Sequence, residues 1–155
     1  MDVVLFQPKI PQNTGNIVRT CAVTGSSLIL VKPLGFSVSS RHLKRAGLDY
    51  WENVSVTIID DLLFFLDKTD QPFYFFSSHA KQLYTEIAYP ENALLIFGSE
   101  TGGLAPVFHE RWPDRFCTIP MKAGSRCLNL ASSASIVMYE AWRQNHFRFR
   151  GGGNG

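Results

Sequence analysis

The sequence predicts an α/β domain with a mostly parallel sheet and helices on both of its faces. Short apolar or β-branched runs alternate with helical patterns along the whole chain, the signature of strands joined by helical crossovers. Several of those runs are apolar almost throughout, as strands are when helices cover both faces of a sheet. A chain of 155 residues with 45% hydrophobic composition suits one buried core and is short for two.

Residues 3–6 (VVLF) read as the first strand. A helix follows over 16–24, where Ile17, Val18, Cys21 and Ala22 share a face, with Asn13 and Asn16 as candidate caps and Gly15 at the preceding turn. Residues 28–31 form a second strand, 40–46 a helix, 54–59 a third strand and 61–66 another helix. The strands 73–76 (FYFF) and 94–97 (LLIF) are wholly aromatic or aliphatic. A helix over 106–110, a strand over 117–119 and a longer helix over 129–145 complete the pattern. The reading is one domain over 1–147, followed by a flexible glycine-rich tail over 148–155.

Charged residues make up 18% of the chain, below the roughly 25% usual for soluble domains, and twelve of its residues are Phe. Apolar surface therefore remains to be covered, which favours a homo-oligomer. Fifteen Lys and Arg against thirteen Asp and Glu give a charge of +2, which permits a nucleic-acid partner without demanding one. Cys21, Cys117 and Cys127 form no C-x-x-C pair, so neither a disulfide framework nor a zinc site is indicated and a reduced, cytoplasmic setting is expected. The first seven residues lack a signal-peptide pattern and no apolar run reaches eighteen residues, so no membrane span is expected. His79, His109 and His146 are isolated, so no metal is expected, and no hydrolase signature of the G-x-S-x-G or H-E-x-x-H kind is present.

In sheets of this class ligands sit beyond the carboxyl ends of strands, which directs attention to three loops. The first, around Gln12 to Asn16, is a well-made helix start that leaves Arg19 unexplained: near a helix N-terminus a cation costs roughly 0.3–1 kcal/mol unless an anion is close. Either solvent tolerates it or a phosphate or substrate oxygen uses it. The second, residues 98–104 (GSETGGL), allows backbone to approach a flat ligand, yet matches neither G-x-G-x-x-G nor a P-loop. Its Glu100 either receives hydrogen bonds from a ligand or partner, or binds backbone amides. The third, in 119–142, has Asn129 as a candidate cap and an all-small stretch over 131–135, suited to close packing or to a ligand, while Tyr139 and Trp142 share a helical face. Arg41, His42, Lys44 and Arg45 precede Tyr50 and Trp51; this run is either a solvated helix face or a surface for phosphates and bases.

Taken together, PQNTGNIVRT, FGSETGGL and IPMKAGSRCLNLASSASIVMYEAWRQ resemble, in order and over about residues 1–147, the SPOUT class of RNA 2′-O-methyltransferases. With no added RNA-binding domain, and with LGF and RHLKRAGLDYW present, the chain is most similar to the single-domain subfamily that methylates the ribose of the tRNA wobble nucleotide, cytidine or uridine. The resemblance implies a C-terminal trefoil knot, a homodimer, tRNA as substrate and S-adenosylmethionine as cofactor. It places Phe76, Ser77, Gly98, Glu100, Ile119, Cys127, Leu128 and Asn129 at the cofactor, Arg19, Asn13 and Tyr139 at the reaction, and Asn16, Arg41, Lys44 and Arg45 on RNA. Ser99, Gly103 and Cys127 depart from the family pattern. Arg19 is expected beside the target ribose; a guanidinium, always charged, suits phosphate binding and charge stabilisation rather than proton acceptance. Competing readings are a non-catalytic RNA-binding module, a mononucleotide-binding protein at the glycine loop, and methylation at another tRNA position or on rRNA.

Overall fold

The computed structural model describes residues 1–39, 41, 45 and 51–150. Seven parallel strands, β1 (Asp2–Phe6), β2 (Ser27–Val31), β3 (Val56–Ile59), β4 (Phe73–Phe76), β5 (Gln82–Leu83), β6 (Leu94–Phe97) and β7 (Phe116–Thr118), form one sheet in the order β3-β2-β1-β6-β4-β7-β5. The expected fold class stands. The two-residue β5 has no counterpart in the sequence reading, because two residues carry no periodicity.

The central strands are apolar because neither face meets water. On one face Val3, Leu5, Leu28, Leu30, Leu95 and Phe97 pack beneath α1 (Pro11–Thr24) and α4 (Leu130–Gln144). On the other, Val4, Phe75, Leu94 and Ile96 pack beneath α2 (Leu62–Lys68) and α3 (Pro106–Arg111) through Leu62, Leu66 and Phe108. Phe75 stacks on Phe116 at 4.7 Å between ring centroids, and Phe76 on Phe97 at 5.0 Å. The twelve phenylalanines thus serve largely to fill a two-sided core.

α1 starts at Pro11, five residues before the predicted Asn16. Proline suits that position because its missing N–H has no helical partner there. Asn13 and Asn16 therefore lie inside the helix and cap nothing. Counting from Pro11, Arg19 is the ninth of fourteen residues, so its charge does not oppose the helix dipole at the N-terminus. The predicted helix over 40–46 falls mostly outside the described residues; Arg41 and Arg45 are helical and exposed, and Lys44 lies outside them.

α4 runs back against α1, where Thr20 and Ser135 bring their hydroxyls to 3.2 Å and the small stretch Ala131 to Ser135 lets the helices close up. After α4 the chain does not leave the domain at once. Trp142 donates from its indole N–H to the Arg148 carbonyl at 3.0 Å. Arg150 pairs with the largely buried Asp2 at 3.1 Å, and Gln71 donates to the same carboxylate at 2.9 Å. Arg148, Phe149 and Arg150, assigned to the tail by sequence, thus dock across the amino ends of the strands.

Gly25, which caps α1 in the left-handed region at φ 69°, lies under the Phe149 ring, where an added Cβ would stand 2.9 Å from a ring carbon. Gly25→Ala is expected to lower unfolding free energy by about 1–2 kcal/mol, from lost left-handed freedom and the displaced ring. Gly102→Ala, with open space around it, is expected to leave the urea midpoint close to wild type.

Candidate functional site

Four chain segments converge beyond the carboxyl ends of β1, β6, β4 and β7. Between them lies a cavity of about 540 Å³. Its walls include all eight residues assigned to the cofactor: Phe76, Ser77, Gly98, Glu100, Ile119, Cys127, Leu128 and Asn129. Asn13 lines it too. Arg19, Asn16 and Tyr139 do not; they are exposed on the outer sides of α1 and α4.

The loop after β6 closes on itself through the Ser99 N–H to Gly103 carbonyl bond at 3.1 Å and its reciprocal at 3.0 Å. Gly98 sits under that closure, where a Cβ would meet Gly103 backbone at 2.4 Å. The position therefore excludes every side chain. Glu100 resolves in favour of backbone amides: its carboxylate accepts from the Lys9 N–H at 2.9 Å and the Ile10 N–H at 2.6 Å. Ile10 is the N-cap of α1 and offers no side-chain acceptor, so a carboxylate from ninety residues away takes two amides at the helix entrance, with the charge favoured there.

Asn129 caps α4 as expected, its Oδ1 accepting from the Ala131 N–H at 2.8 Å and the Ser132 N–H at 3.4 Å. Its Nδ2 donates to Oδ1 of Asn13 at 2.9 Å. The polar Asn13, almost fully buried, is thereby satisfied by the loop that walls the cavity. Asn13 is a tie between loops rather than a cap.

The cavity also has walls that sequence reasoning missed, among them Ile10, Ser78, His79, Thr101, His109, Thr118, Met121 and Ser133. Ser78 and His79 follow β4, and the strand-end rule reaches them; His109 and Ser133 come from helices folded over the opening and carry no local signal. Apolar Phe76, Ile119 and Leu128 offer surfaces for a flat ring, and among the described residues no lysine or arginine lines the cavity. The arrangement admits a small ligand with an apolar face and a positive charge.

Cavity and sheet together define a methyltransferase domain of the SPOUT class. The chain belongs to the SpoU rRNA Methylase family, whose model matches residues 1–139. It is 43% identical over 151 residues to a tRNA (cytidine(34)-2′-O)-methyltransferase of Yersinia pestis, covering 93% of each chain. A protein of the same name from Methylovorus glucosotrophus is 40% identical over 148 residues, covering 94% of this chain and 96% of its own. A solved structure concerned with 2-OH methylation of C/U34 on tRNA superposes with a TM-score of 0.88 at 40% identity, covering 95% of this chain and 97% of that one. The SpoU methyltransferase AviRb of Streptomyces viridochromogenes, solved with AdoMet, shares the fold at 23% identity, with a TM-score of 0.84 over 97% of this chain and 59% of its own.

Two of the three thiols are sealed: burial pushes Cys21 up to about 12, with the Asp2 carboxylate adding to it, and pushes Cys117 up to about 11, while Cys127 is exposed at the cavity wall. A native sample treated with a chromogenic thiol reagent at pH 8 is expected to react quickly at one thiol per chain, mapped to Cys127. Rapid reaction of all three would contradict the burial of the other two. For the polar ties, Asn129→Ala is expected to lose about 1–2 kcal/mol of stability with the cap and the link to Asn13, whereas Asn129→Asp, which keeps an acceptor for the cap, loses less in the same urea titration.

Proposed function

We propose that the chain transfers a methyl group from S-adenosylmethionine to the ribose 2′-OH of the wobble nucleotide of tRNA, cytidine or uridine at position 34, in the cytoplasm. The observation that carries this reading is the single cavity formed by residues from the three motif loops, in a chain about 40% identical to relatives named for that reaction.

The residues present fit the cofactor. A volume of about 540 Å³ lies within the range of small-molecule sites, and the lack of lysine and arginine among the described residues of its walls suits a sulfonium cation. Phe76, Ile119 and Leu128 would flank the adenine, and the backbone around Gly98 and Leu128 would meet its polar edge. When bound, S-adenosylmethionine supplies an electrophilic methyl group on a positively charged sulfur. Asn129 and Glu100 hold the surrounding loops through their bonds to Asn13 and to the amides before α1.

Substrate is met from the α1 side. Gln12, Asn16, Arg19 and Val23 are the exposed positions of α1 and follow a helical spacing, so they form one stripe. Arg19 binds the phosphate beside the target ribose and stabilises charge developing on the 2′-oxygen, while the proton passes to phosphate oxygen or water. Arg41, Lys44 and Arg45 add phosphate contacts that position the strand. Alignment of the 2′-oxygen supplies most of the rate, since well-oriented reactions gain roughly 7–11 kcal/mol from positioning.

A homodimer completes the site. Ser132, Ile136, Tyr139 and Arg143 form the outward stripe of α4, and Val23, Ile136 and Tyr139 leave 46%, 37% and 45% of their surface exposed on the two adjoining helices. A second copy covers this face and places Tyr139 against substrate or the partner helix. A C-terminal trefoil knot is consistent with β7 entering between β4 and β5, both earlier in the chain, and with α4 then crossing back to α1.

Incubation with labelled S-adenosylmethionine and total RNA is expected to place label on the 2′-O-methylated wobble nucleoside of tRNA; label on a base or on rRNA would overturn the assignment. Arg19→Ala is expected to keep cofactor affinity within about twofold by calorimetry and to lose methyl transfer by at least 10²-fold. Ile136→Asp is expected to shift the sedimentation coefficient from dimer to monomer, and an unchanged dimer would remove this face from the interface.

A further inference from the structure

We propose that a second cleft beside the cofactor cavity holds one nucleotide of the RNA substrate that neighbours the methylated one. The proposal rests on the methyltransferase reading above. The cleft, of about 430 Å³, lies between the segment after β4 that carries His79, Lys81 and Gln82 and the segment from α3 to β7 that carries His109, Asp114 and Phe116. His79 and His109 line this cleft and the cofactor cavity alike, so the two spaces share a wall. The shared wall sets the two spaces side by side, and an RNA strand entering the one can lay an adjoining nucleotide in the other.

The two spaces differ in charge. Among the described residues the larger has no lysine or arginine in its walls, which suits a cationic methyl donor. The cleft has Lys81, an exposed ammonium, together with two imidazoles and the Gln82 amide, a set of N–H donors suited to phosphate and to base edges. Asp114, the one carboxylate among its described lining residues, accepts from an exocyclic amine, which favours an amino-bearing base over uracil. The volume suits a nucleoside and not a longer fragment.

The cleft is also built to stack a base. His109 lies on the Phe116 ring with 4.1 Å between centroids and 21° between planes, so one face of the imidazole is backed by a buried aromatic ring. Its exposed side lines the cleft and offers the flat platform that single-stranded bases seek. The opposite lip is held by a tight turn, in which the His79 N–H donates to the Ser77 hydroxyl at 3.3 Å and the Ala80 N–H to the Ser77 carbonyl at 3.3 Å.

The test measures binding of a labelled tRNA anticodon stem-loop by fluorescence anisotropy at several salt concentrations, with S-adenosylmethionine affinity followed by calorimetry on the same full-length samples. Lys81→Ala, which touches only the cleft, is expected to weaken RNA binding, to reduce the slope of log affinity against log salt by about one, and to leave cofactor affinity at the wild-type value. His109→Ala is expected to weaken RNA binding on the order of tenfold, and His109→Phe, which keeps a stacking face, to recover most of it. A role in folding alone would not change the salt slope in the Lys81 variant, and circular dichroism melts of the two His109 variants separate lost stacking on RNA from lost packing on Phe116. RNA affinity and salt slope equal to wild type in both alanine variants, with wild-type protein methylating tRNA normally, would overturn the cleft assignment alone. Failure of the wild-type protein to transfer label to any RNA would instead overturn the methyltransferase reading on which it rests.

Discussion

A helix entering a buried layer at a proline has backbone N–H groups with no helical partner, and in α1 two amides at that entrance are met by one carboxylate. Glu100 reaches from the loop after β6 to the amides of Lys9 and Ile10, and Asn129 reaches from the loop before α4 to Asn13 in the first turn. α1 is therefore seated by both loops that wall the cavity. These bonds join residues about ninety and 116 positions apart in sequence, so the helix entrance is complete only once the whole sheet has formed. The cavity inherits its shape from this arrangement, because Ile10, Asn13, Glu100 and Asn129 all stand in its wall. The Glu100 bonds are charge-assisted and the Asn129–Asn13 bond is neutral, and together they tie both cavity loops to one helix.

The sheet supplies the rigidity against which those loops are held. β1 and β6 lie side by side at its centre, with Leu5 opposite Phe97, and β4 continues the row with Phe76 opposite Phe97. Their carboxyl ends open directly into the cavity, so Phe76 and Phe97 are at once core residues and walls. A site built this way tolerates little movement, since displacing either ring opens a void in a packed interior. Gly98 shows the same constraint from the backbone side, where a single methyl group would meet main chain at 2.4 Å.

The parts legible in sequence were those with local causes. The strands 73–76 and 94–97 are legible to the residue because each is a short, wholly apolar run with a turn residue beside it, Pro72 before the one and Gly98 after the other. Asn129 was readable as a cap because capping is a local hydrogen bond. The start of α1 was misread for the opposite reason: a polar run containing Pro11 and Gly15 has the local preferences of a turn, and what makes it helical is a carboxylate far away in the chain. The same error placed Arg19 in a first turn and gave its charge a cost it does not bear. The segment 148–150 was read as tail because RFRGGG has no periodicity, while its docking depends on Asp2, Trp142 and Gly25 meeting at the far end of the sheet.

Arg19 takes on a different meaning once it is placed in the second half of α1. From Asn13 to Arg19 the helix rises about 9 Å, at 1.5 Å per residue, and turns through about 240°, so the residue at the cavity and the residue on the outer stripe belong to one rigid rod with different faces. Glu100 and Asn129 tie the entrance of that rod to the two cavity loops, so the exposed stripe is fixed relative to the cavity. On the proposed reading, the placement of Arg19 beside an RNA phosphate follows from how the cavity loops seat this helix. A charged group gains most from an oxyanion when its geometry is established before the charge develops. The long-range bonds at the start of α1 therefore supply part of the preorganisation that the role proposed for Arg19 asks for.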